Sequence, residues 1–363
     1  MSLPNARPNT LDHASAKSAV LAHPDTVSIL QDQSERRRLN SYMKSMGIRG
    51  GPTNLAIFVE ALRRGASISP SRNQGMQLVL GSERHWWNNG GSSLNHQSAR
   101  RLCHHKEINS RVLRTQGVCA PENALFSAEQ ADRAWLWAQA ILPIVIKPSN
   151  ASQGRGVHTR IQDRSTFIEA FNEVSNEFGD VLVEEQLDGS EHRIFVVGKK
   201  VTAALRQIPA NVVGDGHSTI SGLIEAKNRT ATHPHKPISL GTTEWRTLQG
   251  LNLTHDSVPE EGRTVFLRQN TNLSTGGDSI DVSNEITPAE REFVVSAAKC
   301  WPGLGCAGFD VMLPRTPGSK EPAVLETNIS PGISAHLMPR LGQSQNVAST
   351  ILDRMFPRSG LFD

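Results

Sequence analysis

The sequence Gly305-Cys-Ala-Gly-Phe-Asp-Val-Met-Leu313, followed by Ala323-Val-Leu-Glu-Thr-Asn-Ile-Ser-Pro-Gly332, decides the fold. Both segments contain β-branched or aromatic residues and are bounded by Gly and Pro, which predicts two short buried strands. Since side chains alternate along a strand, Glu326 and Asn328 share one face, about 6–7 Å apart. If the strands pair, Asp310 joins them. Two carboxylates and one amide oxygen then predict a Mg²⁺ site completed by phosphates and water. The alternative is that each acid is a separate solvated residue.

The composition excludes several classes of function. The 363 residues are 37% hydrophobic and 20% charged, which predicts an ordinary soluble chain with two or three domains. A net charge of +3 suits a phosphate-rich small ligand but predicts no nucleic-acid partner. The four cysteines form no C-x-x-C pair, which favours a reducing cytoplasm. Because no long apolar run and no signal-peptide core is present, no membrane partner is predicted.

The order of the predicted elements indicates an α+β fold with at least two subdomains. Strands are predicted at 76–80, 143–148, 157–161, 181–185, 193–197, 200–205 and 264–268. Helices are predicted at 27–46, 52–64, 106–116, 166–178, 218–227, 287–301 and 343–355. Loops are predicted at 86–91 and, apart from the short helix, over the long polar segment 211–263.

Lys147 ends a predicted strand immediately before the Gly-rich loop at 149–156. Backbone N–H groups of such a loop can form a concave anion site, to which a lysine adds a point charge. Neither the P-loop pattern nor the dinucleotide fingerprint is present. The alternative interpretation is a flexible hairpin tip.

Glu184 and Glu185 end another predicted strand, and Glu191 follows shortly after. The first two could hold an amine-bearing base, and Glu191 could accept hydrogen bonds from ribose hydroxyls. A solvated strand end is the alternative.

Arg193 and Arg268 lie in or beside apolar strands, where a guanidinium needs an anionic partner. A substrate phosphate or carboxylate would serve. So would a structural carboxylate, for which Asp278 and Asp281 are the candidates beside Arg268.

Taken together and in this order, the motifs resemble those of the ATP-grasp ligases. The resemblance rests on Val145-Ile-Lys-Pro148, Gly154-Arg-Gly156, Val183-Glu-Glu-x-x-x-Gly-x-Glu191, Gly308-Phe-Asp-Val311 and Leu325-Glu-Thr-Asn-x-x-Pro-Gly332. A closer likeness is to the ATP-grasp part of cyanophycin synthetases and bifunctional glutathione synthetases. That likeness rests on Gly214-Asp-Gly-x-x-Thr-Ile220, Asn272-Leu-Ser-Thr-Gly-Gly277 and Lys106 ahead of Gly117-Val-x-x-Pro121. D-alanine–D-alanine ligases share the metal motif.

The resemblance implies a role for each candidate residue. ATP would be held by Lys106, Lys147, Ser152, Gly154, Gly156, Glu184, Glu185 and Glu191. Two Mg²⁺ ions, for which Mn²⁺ can substitute, would be held by Asp310, Glu326 and Asn328. Catalysis would fall to Lys147 and Arg268, and substrates would contact Arg193, Arg268, Ser330 and Gly332.

The implied fold is the ATP-grasp fold, in which two α+β subdomains clasp ATP behind a smaller N-terminal region. The predicted units are residues 1–94, 95–191 and 192–363. The implied activity is an ATP-dependent carboxylate–amine ligase that acts through an acyl phosphate on small amino-acid-derived acid and amine substrates, in specialised metabolism and as a homodimer. The alternatives are lactam formation by the same chemistry, a small-molecule kinase, and a non-catalytic nucleotide-binding module.

Overall fold

Helices and strands are interspersed along the whole chain. The computed structural model describes residues 12–103, 105–151, 155–231, 234–268, 270–315 and 321–357. The helices are α1 His13–Leu21, α2 Thr26–Gln31, α3 Gln33–Ser45, α4 Pro52–Arg63, α5 Gln97–Cys103, α6 Lys106–Thr115, α7 Ala131–Ala138, α8 Arg164–Phe178, α9 Ile220–Arg229, α10 Thr242–Gly250, α11 Pro288–Lys299, α12 Ser334–Leu337 and α13 Val347–Met355. The strands are β1 Ser67–Pro70, β2 Met76–Leu80, β3 Glu83–Asn88, β4 Gly91–Ser92, β5 Asn123–Phe126, β6 Ile144–Pro148, β7 His158–Ile161, β8 Val181–Glu185, β9 Ser190–Val197, β10 Lys200–Ile208, β11 Asn211–Val213, β12 Thr264–Phe266, β13 Asp278–Asp281, β14 Cys306–Leu313 and β15 Ala323–Asn328. Over the described residues, every helix is too short or too polar to span a bilayer.

The described strands form four sheets. Their orders are β1-β2-β3-β4, β5-β8-β6-β7, β13-β10-β9-β14-β15 and β11-β12. Below, the second is called the small sheet and the third the central sheet. In the small sheet and the central sheet, all neighbouring strands are antiparallel. Residues of adjacent strands therefore lie directly opposite each other, except at bulges.

The central sheet contains the two segments that decide the fold. Its strand β14 pairs with β9 on one side and β15 on the other, which confirms the predicted pairing. Asp310 lies opposite Glu326, but the register shifts after it, so that Val311 lies opposite Val324. Leu325 is therefore an extra residue, a β-bulge. Because of the bulge, Val324 joins the apolar core while Glu326 projects from the other face.

The two faces of the central sheet have different partners. One face packs against α6 and α11, through residues such as Phe309, Leu113 and Val294. On the opposite face, Phe195 and Val197 of β9 join the core of the N-terminal region. Further along the same face the side chains become polar, and this part forms the candidate site.

The N-terminal region is built around α4, in which every residue from Thr53 to Leu62 is buried. The predicted helix at 27–46 is two helices, because Asp32 has extended backbone and accepts hydrogen bonds from the first turn of α3. The predicted loop at 86–91 is wrong in part, since residues 86–88 belong to β3 and Gly91 begins β4, while residues 89 and 90 form the turn between them. Trp87 is buried there and donates to Asn54 Oδ1 at 3.1 Å.

The small sheet also has one apolar and one polar face. Ile144, Ile146 and Val183 pack against α7 and α8, leaving Lys147 and Glu184 on the opposite face. Helix α8 begins two residues before the predicted start. Its cap is Asp163, which accepts from the Thr166 N–H.

The segment 211–263 is more ordered than its polar sequence predicts. It contains β11, α9 and α10, and α9 agrees with the predicted short helix. Val212, Ile224 and Leu248 share an apolar core with Val265 of β12. The segment is therefore a small packed unit, and the missed helix α10 carries a residue of the candidate site.

Candidate active site

Five polar side chains project from one face of the central sheet. They are Glu191 and Arg193 on β9, Asp310 on β14, and Glu326 and Asn328 on β15, here called the carboxylate face. Asp310 lies opposite Arg193 on one side and Glu326 on the other, and Gly308 lies opposite Asn328. The antiparallel register thus brings together the three predicted metal ligands and two predicted binding residues.

Arg193 and Asp310 form a bidentate ion pair. Arg193 Nε donates to Asp310 Oδ1, and Nη2 donates to Oδ2, both at 2.8 Å. The attraction of Asp310 outweighs burial and raises the pKa of Arg193 above its usual value. The anionic partner of Arg193 in this structure is therefore Asp310, and the predicted contact with a substrate carboxylate stays a prediction.

The ligand set of the carboxylate face fits Mg²⁺ bound together with phosphates. Within the described residues, the Glu326 carboxylate makes neither a hydrogen bond nor an ion pair, while Asn328 Oδ1 accepts from the Ser330 N–H at 3.0 Å. In the described part of the chain, no group of three or more His, Cys, Asp or Glu side chains is placed so that it could hold a metal ion. Two carboxylates and an amide leave coordination positions that nucleotide phosphates and water would fill, as Mg²⁺ prefers.

Glu191 is a partly buried carboxyl group with few neutralising partners. Burial raises its pKa to about 7, and repulsion from Asp310 adds to the rise, against a hydrogen bond with Thr271 and the charge of Arg193. Because the folded pKa exceeds the ordinary value of 4.5, the stabilising contribution of Glu191 is complete below pH 4.5 and is lost as the pH rises through 7. A cation or a hydroxyl donor near this carboxylate would offset that loss.

The two predicted phosphate lysines interact electrostatically with the carboxylates of this cluster. Lys147 Nζ donates to Glu184 Oε1 at 2.5 Å on the polar face of the small sheet. Lys106, at the start of α6, donates to the Ala151 carbonyl at 3.0 Å. Burial lowers the pKa of Lys106, an effect opposed chiefly by Glu326 and reinforced by Lys147. Lys106 therefore interacts both with the carboxylates of the central sheet and with the ion pair of the small sheet.

The other predicted nucleotide contacts are placed differently. The Glu185 carboxylate accepts from the Glu122 N–H at 3.1 Å, so it is engaged at the neighbouring strand β5. Gly156 has a φ of +65°, and a Cβ there would lie 2.7 Å from Phe178 Cε2. Its close packing on α8 explains the glycine. Ser152 and Gly154 lie outside the described residues.

Arg268 has a partner that the sequence did not reveal. Its Nε donates to Oε1 of Glu244, a residue of α10 that is 1% exposed. The two predicted structural partners are wrong for this arginine, since Asp278 pairs with Lys227 at 2.6 Å and Asp281 bonds Ser283. The contact fixes Arg268 to the 211–263 segment, and its predicted catalytic role stays a prediction.

The comparisons with known proteins agree with this arrangement. No family model matches the chain. The glutathione biosynthesis bifunctional protein of Mannheimia succiniciproducens is 32% identical over 321 residues, covering 83% of this chain and 42% of that protein. The cyanophycin synthetase of Trichormus variabilis is 33% identical over 265 residues, covering 69% and 29%. The crystal structure of a bifunctional glutathione synthetase from Pasteurella multocida has a TM-score of 0.63 and 27% identity, covering 90% of this chain and 46% of that one.

The chain belongs to the ATP-grasp superfamily. Its fold is the predicted α+β ATP-grasp fold. This ATP-grasp protein spans less than half the length of the curated relatives it matches.

In this ATP-grasp protein, the predicted substrate loop at 330–332 rests on the N-terminal region. A Cβ at Gly90, whose φ is +98°, would lie 2.5 Å from the Pro331 carbonyl oxygen. A Cβ at Gly332 would lie 3.7 Å from Thr53 Oγ1 of α4. The N-terminal region, in which the sequence revealed no chemistry, therefore contacts the loop that follows the metal ligands.

Sequence reasoning missed His336 and Asn95. His336 is completely buried, and neither ring nitrogen has a hydrogen-bond partner within the described residues. Burial, aided by the charge of Arg193, lowers its pKa to about 3. Asn95 joins the start of β14 to the end of β15, because its side chain bonds the backbone of Gly305, Cys306 and Ile329. The only sequence feature that could have drawn attention to His336 is its position shortly after the metal motif, and no such feature marks Asn95.

Proposed function

We propose that this protein is an ATP-dependent carboxylate–amine ligase. The observation that carries the proposal is that Lys106 interacts electrostatically both with the carboxylates of Glu326 and Asp310 and with the Lys147–Glu184 ion pair. Cations that can hold phosphates and oxygen ligands that can hold Mg²⁺ are what phosphoryl transfer from ATP requires. The names of the similar proteins, which describe glutathione biosynthesis and cyanophycin synthesis, support amide formation as the outcome.

The reaction would proceed in two balanced steps. A substrate carboxylate oxygen attacks the γ-phosphorus, and ADP leaves. An amine nitrogen then attacks the acyl carbon, phosphate leaves, and the nitrogen loses a proton as the amide forms. Water would hydrolyse the acyl phosphate between these steps, so the site must exclude it.

The chain's own residues would bind and orient the nucleotide. Lys106 and Lys147 would hold the phosphates, and Glu184 would orient the Lys147 ammonium through their ion pair while its neighbouring backbone receives the adenine. Glu191 would accept from the ribose. Asp310, Glu326 and Asn328 would hold two Mg²⁺ ions, or Mn²⁺, which neutralise charge on the transferring phosphoryl group.

The substrates would lie at the opposite end of the carboxylate face. Arg193, Ser330 and Gly332 would contact the acid, and Arg268 would stabilise the oxyanion that develops on the acyl group. The acid is proposed to be small and amino-acid-derived, and the pathway to be one of specialised metabolism. All four cysteines are free, in keeping with a reducing cytoplasm. The working units are residues 1–94, 95–191 and 192–363, in a homodimer.

The decisive experiment is a product analysis with purified protein, Mg²⁺, ATP and a panel of amino acids and dipeptides. We expect ADP, phosphate and an amide detected by mass spectrometry, with Glu326→Gln as the inactive control. AMP and pyrophosphate would contradict the acyl-phosphate route. ADP with a phosphorylated product and no amide would establish the kinase alternative, and a product equal to one substrate minus water would establish a lactam.

A further inference from the structure

The N-terminal region contains a large open groove that the proposed reaction does not use. The groove, here called the basic groove, has a volume of about 840 Å³ and lies between α3, the turn at 47–51 and the start of α4. Its lining includes Arg36, Arg37, Asn40, Lys44, Arg49 and Gly51.

Helix periodicity explains why the cations of α3 meet in the groove. Arg36, Asn40 and Lys44 follow one another at intervals of four residues, so they share one face of the helix. Lys44 reaches over the turn, since a Cβ at Gly50 would lie 3.3 Å from Lys44 Cε. Arg49 enters from the turn itself, and its N–H is fixed by the Gln74 carbonyl at 2.7 Å.

The charge in the groove is not neutralised by the described protein. The lining residues include four cations and no acid. Across the described residues, none of the four makes an ion pair, whereas Arg38, the next residue on α3, pairs with Glu35 at 3.2 Å. Like charges gathered in a concave surface raise the local potential, which attracts anions.

The N-terminal end of helix α4 lies beside these charges, since Gly51, the residue before the helix, lines the groove. Helix α4 is twelve residues long and begins with no side-chain cap, with Pro52 in its first turn. The Gly51 N–H is satisfied by Asn40 Oδ1 at 2.7 Å, which holds the turn against α3. The N-terminal end of α4 carries partial positive charge, so it acts in the same direction as the four cations.

Residues at the start of α4 line the groove and contact the proposed substrate loop. Gly51 lines the groove, and Thr53, two residues later, lies against Gly332. The following residue, Asn54, accepts from the Asn89 N–H at 2.8 Å, and Gly90 packs on Pro331. The start of α4 is therefore shared between the basic groove and the loop at 330–332.

We propose that the basic groove binds the oxyanion groups, carboxylate or phosphate, at the non-reacting end of the ligase substrate. This inference rests on the proposed function and gives it a substrate class: an acid that carries further negative charges beyond its reacting carboxylate. Arginine suits the task because its planar guanidinium can bind either oxyanion through two parallel hydrogen bonds.

The test uses calorimetry on the full chain with Mg²⁺ and a non-hydrolysable ATP analogue, so that the nucleotide site is filled. The two probes are γ-linked triglutamate and inorganic phosphate, and the test variant is Arg37→Gln with Arg49→Gln. The matched control is Arg38→Gln with Arg84→Gln, which also removes two positive charges from the N-terminal region, at residues that do not line the groove. We expect saturable binding by the wild type and control, weakened at least about tenfold in the test variant. Tighter triglutamate binding identifies a carboxylate-bearing substrate, and tighter phosphate binding a phosphorylated one.

Two results would overturn the inference. One is the absence of saturable binding of either probe to the wild type. The other is an equal loss of affinity in the control, which would mean that the probes are attracted by the general surface charge.

Product analysis separates this failure from that of the proposed function. If amide and ADP form while the groove binds neither probe, only the substrate class is wrong. If the groove binds a probe while AMP is the nucleotide product, the groove remains an anion site and the ligase mechanism is wrong.

Discussion

At the scale of single residues, Asp310 lies between a cation, Arg193, with which it forms an ion pair, and a second carboxylate, Glu326. Its two oxygens accept from Arg193, and its register places it opposite Glu326. Glu326 has no such protein partner within the described residues. Loss of either carboxylate should stop turnover. Only loss of Asp310 leaves the Arg193 guanidinium buried without its anionic partner, which destabilises the fold.

We therefore expect Asp310→Asn and Glu326→Gln to have the same effect on turnover but different effects on stability. Both should lower turnover to background. Asp310→Asn should also lower the free energy of unfolding, by up to about 3 kcal/mol since a partner of a largely buried ion pair is lost. Glu326→Gln should stay within about 0.5 kcal/mol of wild type. Urea unfolding and ADP release on the same preparations provide the measurements. Equal destabilisation by both variants would contradict the difference in partners.

Arg268 requires a double substitution, because its single loss leaves the Glu244 carboxylate buried and unpaired. Arg268→Met should lower both the melting temperature and kcat. Adding Glu244→Gln should restore most of the melting temperature, since the neutral amide can still accept from the Gly241 N–H. If Arg268 stabilises the acyl oxyanion, kcat of the double variant should remain about 10²–10³-fold low. Recovery of kcat together with the melting temperature would show that Arg268 is structural.

His336 makes stability depend on pH. Its folded pKa of about 3 lies below the ordinary 6.5, so its neutral form is favoured in the fold. Its contribution is complete above pH 6.5 and is lost progressively as the pH falls towards 3, because the unfolded chain takes up the proton first. His336→Phe should make the loss of unfolding free energy between pH 6 and 4 shallower, by up to about 1.4 kcal/mol per pH unit. His217→Gln, which changes an exposed imidazole, should leave the wild-type slope; an unaltered slope in His336→Phe would contradict the assignment.

At the scale of elements, local sequence rules succeeded where the determining contacts are local. The helix at α11 was predicted because Thr287 and Glu290 form a capping box, and the structure contains it. The same reasoning failed at β3, where burial by Asn54 and the neighbouring strands overrides a turn-like sequence. Helix α10 was missed because its apolar side is short and its core partners lie on α9 and β12. Without α10, the Glu244 partner of Arg268 could not be predicted.

Asn95 offers a test of how the two metal strands are joined. Its side chain makes four backbone hydrogen bonds between 2.7 and 3.0 Å, all in the buried space where β14 begins and β15 ends. Asn95→Ala should lower the free energy of unfolding by about 2–4 kcal/mol, since each lost bond contributes roughly 1 kcal/mol. Asn88→Ala, which loses a single exposed bond to Asn73, should cost less than about 1 kcal/mol. Urea midpoints compare the two, and equal costs would refute the joining role.

At the scale of the whole molecule, the candidate site is assembled from three regions. The central sheet contributes the carboxylate face, the small sheet contributes Lys147, and the N-terminal region supports the loop at 330–332. The first two could be predicted because their residues lie in motifs of fixed order. The third could not, because contacts such as that of Gly90 with Pro331 join segments more than two hundred residues apart and have no local pattern.

Gly90 tests whether this support matters for function. Gly90→Ala introduces a methyl group 2.5 Å from the Pro331 oxygen, whereas Gly81→Ala meets nothing within 4 Å. Both positions have positive φ, so both variants should lose about 1 kcal/mol of stability through backbone strain. Only Gly90→Ala should displace the substrate loop and raise KM for the acid, with KM for ATP unchanged. Identical kinetics in the two variants would show that the contact has no part in substrate binding.

The bulge at Leu325 has a consequence for how sites of this kind are compared between proteins. In a strand of strict alternation, Val324 and Glu326 would lie on the same side, and the carboxylate would point into apolar core. The extra residue shifts the phase of β15 by one position, so the bulge sets the face on which Glu326 lies. Loss of the Leu325 codon would remove the extra residue and the bulge together, leaving Val324 and the glutamate adjacent and on opposite faces by ordinary alternation. A relative that is one residue shorter at this point, with Glu and Asn intact, would therefore present both predicted metal ligands on the same face without a bulge.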